Sequence, residues 1–201
     1  MAAEVEQCTV RHREAQQLQK DSGWDIVRVA LSSTVRLWIM TAVVGRSVAN
    51  ELVAALDFWN RAIEVVTWGL TAWKDVPPEK RGRMFSGTFL VGLKNLRLER
   101  LLMVHSQYPE HAPLNHIHDA ACELVELTDQ LEEPTNTEPG VVLSFFVYPK
   151  AHASAALGLY YRDLAEVYER SDAKRAVLPQ VGSCVQEGCL IIPQRRRIPL
   201  L

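Results

Sequence analysis

Four histidines and a cysteine gather in the middle of the sequence, at His105, His111, His116, His118 and Cys122. Imidazole and thiolate are the side chains that most readily hold a transition metal or move a proton near neutral pH. On a helix His118 and Cys122, four apart, point the same way, with His116 and Asp119 on an adjacent face. The group straddles Pro109 and Pro113 and contains neither HExxH nor the paired ExxH of a di-iron bundle. Such spacing permits a metal without demanding one, and the expectation is that the chain holds no metal and no cofactor. Were the chain an enzyme, His105, His118 and Glu123 would be its candidate titratable groups.

Other catalytic signatures are missing. There is no GxSxG, RGRMFSGTF lacks the lysine and spacing of a phosphate loop, and the aspartate-rich motifs of a metal-dependent terpene cyclase do not occur. Cys8, Cys122, Cys184 and Cys189 form no CxxC and read as reduced thiols of an intracellular protein. No residue is assigned a catalytic role.

Binding chemistry is better represented. Arg83, Lys94, Arg97 and Arg100 fall on one predicted helix, where residues three apart share a face able to meet an acidic segment or an anionic ligand. A charge run containing Glu99 is equally the pattern of a solvated face. Tryptophans 24, 38, 59, 68 and 73, with Phe85, Phe89, Phe145, Phe146, Tyr148, Tyr160 and Tyr161, either fill a core or line an apolar pocket. Trp68 and Trp73 are the candidate anchors for a partner, beside Lys94, Arg97 and Arg100. Arg195 to Arg197 form a last basic group, a contact patch or a solvated end.

These groups need elements to position them, and 201 residues make one domain with a real core. A formal charge of −2 gives no global reason to expect nucleic acid or an anionic membrane as partner. The acidic N-terminus is neither a secretory signal nor a transit peptide, and the apolar stretch from Ile26 to Val44 is interrupted by Arg28 and Arg36, both costly inside a bilayer. A cytoplasmic protein is expected.

Periodicity predicts an all-α domain over residues 1–178. A polar helix over 3–20 is broken by Ser22 and Gly23, and a second carries Trp24, Val27, Leu31, Val35, Trp38 and Ala42, with Gly45 as its stop. The third has Val48, Leu52, Ala55, Trp59, Ala62, Val66 and Trp73 on one stripe, opposite Asp57, Asn60, Arg61 and Glu64. A fourth is expected from about Arg81 to Gln107, and a fifth on Ile117, Ala121, Leu124, Leu127 and Leu131. Glu132 to Gly140 reads as a loop, and Val141 to Tyr148 as helical or extended packing into the core. The sixth helix is expected near Pro149, with Ala153, Leu157, Tyr160, Leu164, Val167 and Tyr168 inward. Residues 179–201 have no period and read as an irregular or disordered tail. Antiparallel hairpins, as a bundle or a stack, satisfy the pattern.

Ala55, Trp59 and Ala62 follow the small, aromatic, small order of the second helix of a tetratricopeptide repeat, and Leu157, Gly158 and Tyr161 follow part of the first. The strings ALDFWNRAIEVVTWG, WKDVPPEKRG and YPKAHASAALGLYYRDLAEVYE resemble poorly characterised tetratricopeptide-like proteins of filamentous fungi, over roughly residues 54–176. That resemblance implies a helical array able to bind other proteins, with no chemistry to carry over. No 34-residue period joins the two matches, and Ser154 stands where the aromatic anchor belongs.

Two functions fit these residues. One is a noncatalytic helical-repeat module that binds a protein segment or its own copy. The other is a small helical enzyme or ligand carrier, such as an accessory cyclase or isomerase of specialised metabolism, with an aromatic pocket for a small molecule.

Overall fold

The computed structural model describes residues 2–44, 49–132 and 138–170, with side chains described over 12–44, 52–132 and 138–166. Gly45, Val48, Val167, Tyr168, three of the cysteines (Cys8, Cys184 and Cys189), Arg195 to Arg197 and the 179–201 tail lie outside those side chains. Every regular element among the described residues is helical.

Helix α1 spans Ala2–Val44 but is two arms, because Gly23 sits at φ 79, ψ 179 and breaks it. Positive φ at that point suits glycine alone, so the break expected at Ser22 and Gly23 is where the chain turns back on itself. Helix α2 is Ala49–Ala72. The short α3, Pro78–Arg81, ends at Gly82 (φ 82) and a 3-10 turn over Arg83–Phe85 follows. Helix α4 is Gly87–Gln107 and α5 is Leu114–Asp129. Last comes a continuous helical run: α6 Pro139–Val142, a π-helical turn Leu143–Val147, and α7 Tyr148–Arg170. With the two arms of α1, six long runs pack antiparallel.

Two boundaries differ from the sequence expectation. The fourth helix starts at Gly87 rather than near Arg81, because Gly82 interrupts the chain and the Ser86 hydroxyl caps a fresh N-terminus, accepting from Phe89 N at 3.2 Å. The sixth begins at Pro139, ten residues before Pro149. Proline cannot donate to an ordinary helical ladder, and the wide turn just ahead of Pro149 lets the helix run through it. That turn packs on one side only: Phe145 and Phe146 are half-buried, Phe145 beside Gly92 of α4, while Leu143 and Val147, with the flanking Val141 and Tyr148, are exposed.

The core is stepwise. Ala15, Val27, Trp73 and Phe85 join the α1 arms to the end of α2. Val35, Ala42, Ala55, Trp59, Ala62, Val66, Leu90 and Leu93 join α1, α2 and α4. Leu98, Leu101, Val104, Ile117, Ala121, Leu124 and Ala153 join α4, α5 and α7. Each helix closes the apolar face of the one before it, as a series of hairpins requires.

Helix α2 carries the closest approaches. Ala55, Ala62 and Val66 are buried beside Trp59, which is 2% exposed. At Gly69 an added Cβ would lie 2.1 Å from the Phe85 ring, so the glycine is there to let that ring reach the helix. The same logic does not extend to Gly158, which is exposed and would meet nothing within 4 Å. Trp59→Ala should therefore cost about 3 to 5 kcal/mol in urea unfolding. Its indole N–H has no partner among the described residues, so Trp59→Phe should cost far less. Gly69→Ala should destabilise by about 1 to 3 kcal/mol through overpacking on Phe85, and a paired Phe85→Leu should recover part of that loss.

Candidate functional site

The fold-back at Gly23 creates a concavity of ligand size. The first arm of α1 returns along its own second arm and α2, and the three enclose a cleft of about 410 Å³. Ala15, Leu18, Leu31, Trp38, Val65 and Trp68 supply apolar wall, with His12, Glu14, Thr34 and Arg61 as the polar groups. The His12 ring lies flat on Trp68, centroids 4.4 Å apart and planes within 1°. Trp68 in turn meets Trp73 edge-on at 4.8 Å, and Trp73 meets Trp24 and Phe85 in the same manner. One wall of the cleft is thus the end of a continuous aromatic stack, held in offset or edge geometry.

Burial against Trp68 pushes the His12 pKa down, with Glu64 pulling the other way. Arg61, expected opposite the apolar stripe, is indeed exposed, and its guanidinium stands 5.8 Å from the centroid of the Phe58 ring. The cleft therefore offers a flat apolar surface, one cation, one carboxylate and one imidazole inclined to be neutral.

Of the site residues chosen from sequence, Trp68 alone is in the lining of this cleft, and the others lie elsewhere. Trp73 is buried in the aromatic stack, whereas Trp68 does line the cleft. Lys94 makes an ion pair with Glu123 at 2.5 Å, Arg97 donates to Asn60 Oδ1 at 2.6 Å, and Arg100, only 5% exposed, donates to the Ala42 carbonyl at 3.2 Å. Burial lowers the Arg97 pKa, with Glu123 opposing. These three cations tie α4 to α5, α2 and α1. Arg83 is exposed at the 3-10 turn.

On the histidine side, His105 Nδ1 lies 2.7 Å from the Ala112 carbonyl and braces the α4–α5 turn. His118 lies 3.6 Å from Cys122 Sγ and 3.1 Å from Asp119, with Tyr160 packed on its ring at 4.7 Å. Burial, then Glu126 and Asp119, push the Cys122 thiol up, which is the opposite of an activated nucleophile. His111 and His116 are exposed. No three His, Cys, Asp or Glu side chains converge as metal ligands among the described residues. None of His105, His118 and Glu123 lines the cleft.

A second feature lies on the other side of α1. Ile26, Val29, Leu37, Met40, Val43 and Val44 are exposed, with Leu37 at 65% and Val44 at 71%. They lie along the second arm in two groups, Ile26 with Val29 and Leu37 with Met40, Val43 and Val44, separated by Ala30 and Ser33, on the face turned away from Val27, Val35 and Ala42. The stretch His12–Val44 is long and apolar enough to cross a membrane by length and composition, with Gly23 breaking it. Sequence reading followed the inward stripe of this helix and passed over the outward one. The signal was present: Ile26, Ala30, Ser33, Leu37, Met40 and Val44 alternate by four and three. No such signal marks His12 or Glu14, which reach the cleft only because the chain reverses.

No protein-family model, curated protein or solved structure matches this chain.

The depressed His12 pKa fixes a direction for acid. The unfolded chain takes up the His12 proton at the ordinary histidine value, about 6.5, and the folded chain only at lower pH. Docking of the first arm is therefore at full strength above about pH 6.5 and weakens as the pH falls through the interval down to the folded value. Amide exchange in residues 12–22 should quicken between about pH 7 and 5 relative to α5, once corrected for intrinsic rates, and His12→Phe should abolish that difference.

Proposed function

We propose that the chain is a noncatalytic helical interaction module, similar in plan to tetratricopeptide-like arrays, that works in the cytoplasm by binding a helical protein segment. The observation that carries this reading is the exposed apolar row of α1, six large side chains on one face with no described element over them. An exposed apolar face of this size is at the upper end of what monomeric soluble proteins carry, and patches of that kind are often functional. Successive antiparallel packing of α1, α2, α4 and α5 supports the hairpin plan, as does burial of Ala55, Trp59 and Ala62. The raised Cys122 pKa and the dispersal of His105, His118 and Glu123 weigh against catalysis at the residues first considered.

The cleft beside Trp68 favours a second reading, a carrier or enzyme for a small molecule. Trp38 and Trp68 offer stacking surface, Arg61 a charge for a carboxylate, and His12 a proton acceptor.

Selecting displayed 20-residue peptides on the wild type and on Leu37→Asp/Met40→Asp tests the first reading. Enrichment of amphipathic helical peptides, or strong self-association that blocks them, on the wild type only is the expected result. Equal recovery on both proteins, with the double variant retaining its helical circular dichroism, would overturn it. If ligand fishing instead recovers a small aromatic acid whose binding is lost in Trp68→Ala and Arg61→Ala, the second reading takes its place.

A further inference from the structure

The outward face of α1 has a geometry of its own. Ile26, Ala30, Ser33, Leu37, Met40 and Val44 are separated by 4, 3, 4, 3 and 4 residues, the alternation of a left-handed two-helix seam. All six are exposed. The spacing reads the same in both directions about position 35. An antiparallel copy therefore sets Ile26 against Val44, Ala30 against Met40, and Ser33 against Leu37. Two of these layers put a small residue opposite a large one, the arrangement that lets facing helices interdigitate at close range. Along the flank, Val29 of one copy meets Val43 of the other.

We propose that this chain forms a two-fold symmetric homodimer through the second arm of α1, the arms packing antiparallel about position 35. The inference rests on the interaction-module reading and names its partner as a second copy. Size is compatible with a modest dimer: at their exposures Ile26, Val29, Leu37, Met40, Val43 and Val44 offer at most roughly 600 Å² per copy, the low end of what each partner gives to a specific interface. A two-fold axis makes one such face sufficient, since the patch is its own complement.

Chemistry separates this occupant from two others. A helix lying on a lipid surface gains nothing from the hollow at Ala30 and Ser33, and usually carries aromatic anchors beside lysines. Here the exposed row holds no aromatic, because Trp38 is turned to the cleft. Residues 179–201 carry Pro179, Pro193 and Pro199 and no 4,3 alternation, so they cannot match a seam roughly 27 Å long with a continuous helix. One feature opposes the dimer mildly: Arg36 stands exposed on the flank and meets its twin near the axis. Repulsion between two solvated guanidinium groups falls with salt. Self-association should accordingly strengthen as salt is raised, the reverse of binding driven by opposite charges.

Sedimentation equilibrium of the full chain tests the proposal. A dimer is expected at about 50 μM, tightening in Arg36→Ala and weakening at least roughly 100-fold in Leu37→Asp/Met40→Asp, with the helical circular dichroism of that double variant unchanged. For orientation, Cys8, Cys122, Cys184 and Cys189 are first changed to serine. Ala30→Cys mixed with Met40→Cys should then give a crossed disulfide on mild oxidation. Ala30→Cys alone should not, because its twin lies roughly 15 Å along the axis. Cross-linking of Ala30→Cys to itself, a dimer indifferent to the Leu37 and Met40 changes, or a monomer at every concentration overturns the proposal. So does a monomer that binds phosphatidylcholine–phosphatidylserine vesicles through Leu37, or one that dimerises only when residues 179–201 are removed. A monomer that still enriches helical peptides through Leu37 and Met40 refutes the dimer and leaves the interaction module standing. A monomer that enriches none refutes both.

Discussion

Helix α2 has to be approached closely from two sides, and the rest of the molecule depends on that constraint. Ala55 and Ala62 remove bulk where α1 and α4 come in, and Trp59 occupies the space between them, 2% exposed. Gly69 repeats the device one level down, where only a hydrogen leaves room for Phe85. Large-against-small packing at these points fixes the spacing of three helices. Once α1 and α4 are seated on α2, the break at Gly23 can lay the first arm over Trp68, and α4 can present Val91, Leu98 and Leu101 to α5 and α7.

Polar groups follow the same frame. Lys94, Arg97 and Arg100 lie three apart on α4, and in sequence they look like one surface row. In the structure each reaches a different neighbour, because α4 is surrounded: α2 and α1 on one side, α5 on another. A cation on an interior helix gains more from a neighbouring carbonyl, amide or carboxylate than it could as a free surface charge. The row marks how many neighbours α4 has.

What was legible in the sequence was whatever the 3.6-residue period writes down. The stripes on α1, α2 and α5 lie inward as their spacing implies, and Ser22 with Gly23 gives the break. The start of α4 was missed because a single serine sets it, Ser86 capping the helix after the interruption at Gly82. Pro149 misled because a proline usually opens a helix, while here a wide turn ahead of it carries the helix through. The cleft could not be read at all, since His12 and Arg61 are 49 positions apart and meet only after two chain reversals. Trp68 was chosen for its chemistry and does line the cleft. Trp73, of the same type and five positions on, is buried.

The composition of α1 draws these points together. An amphipathic helix needs one apolar face, yet residues 24–44 carry three: Val27, Val35 and Ala42 toward α2, Leu31 and Trp38 toward the first arm, and Ile26, Leu37, Met40 and Val44 outward. A helix apolar on every side is normally enclosed on every side, by protein or by lipid. The chain's own described elements cover two of the three faces, with Arg36 at the edge of the third. The membrane-like length and hydropathy of this stretch are the sum of these three faces: α2 and the first arm meet two of them, and with 17% of the apolar window buried the outward one stays exposed.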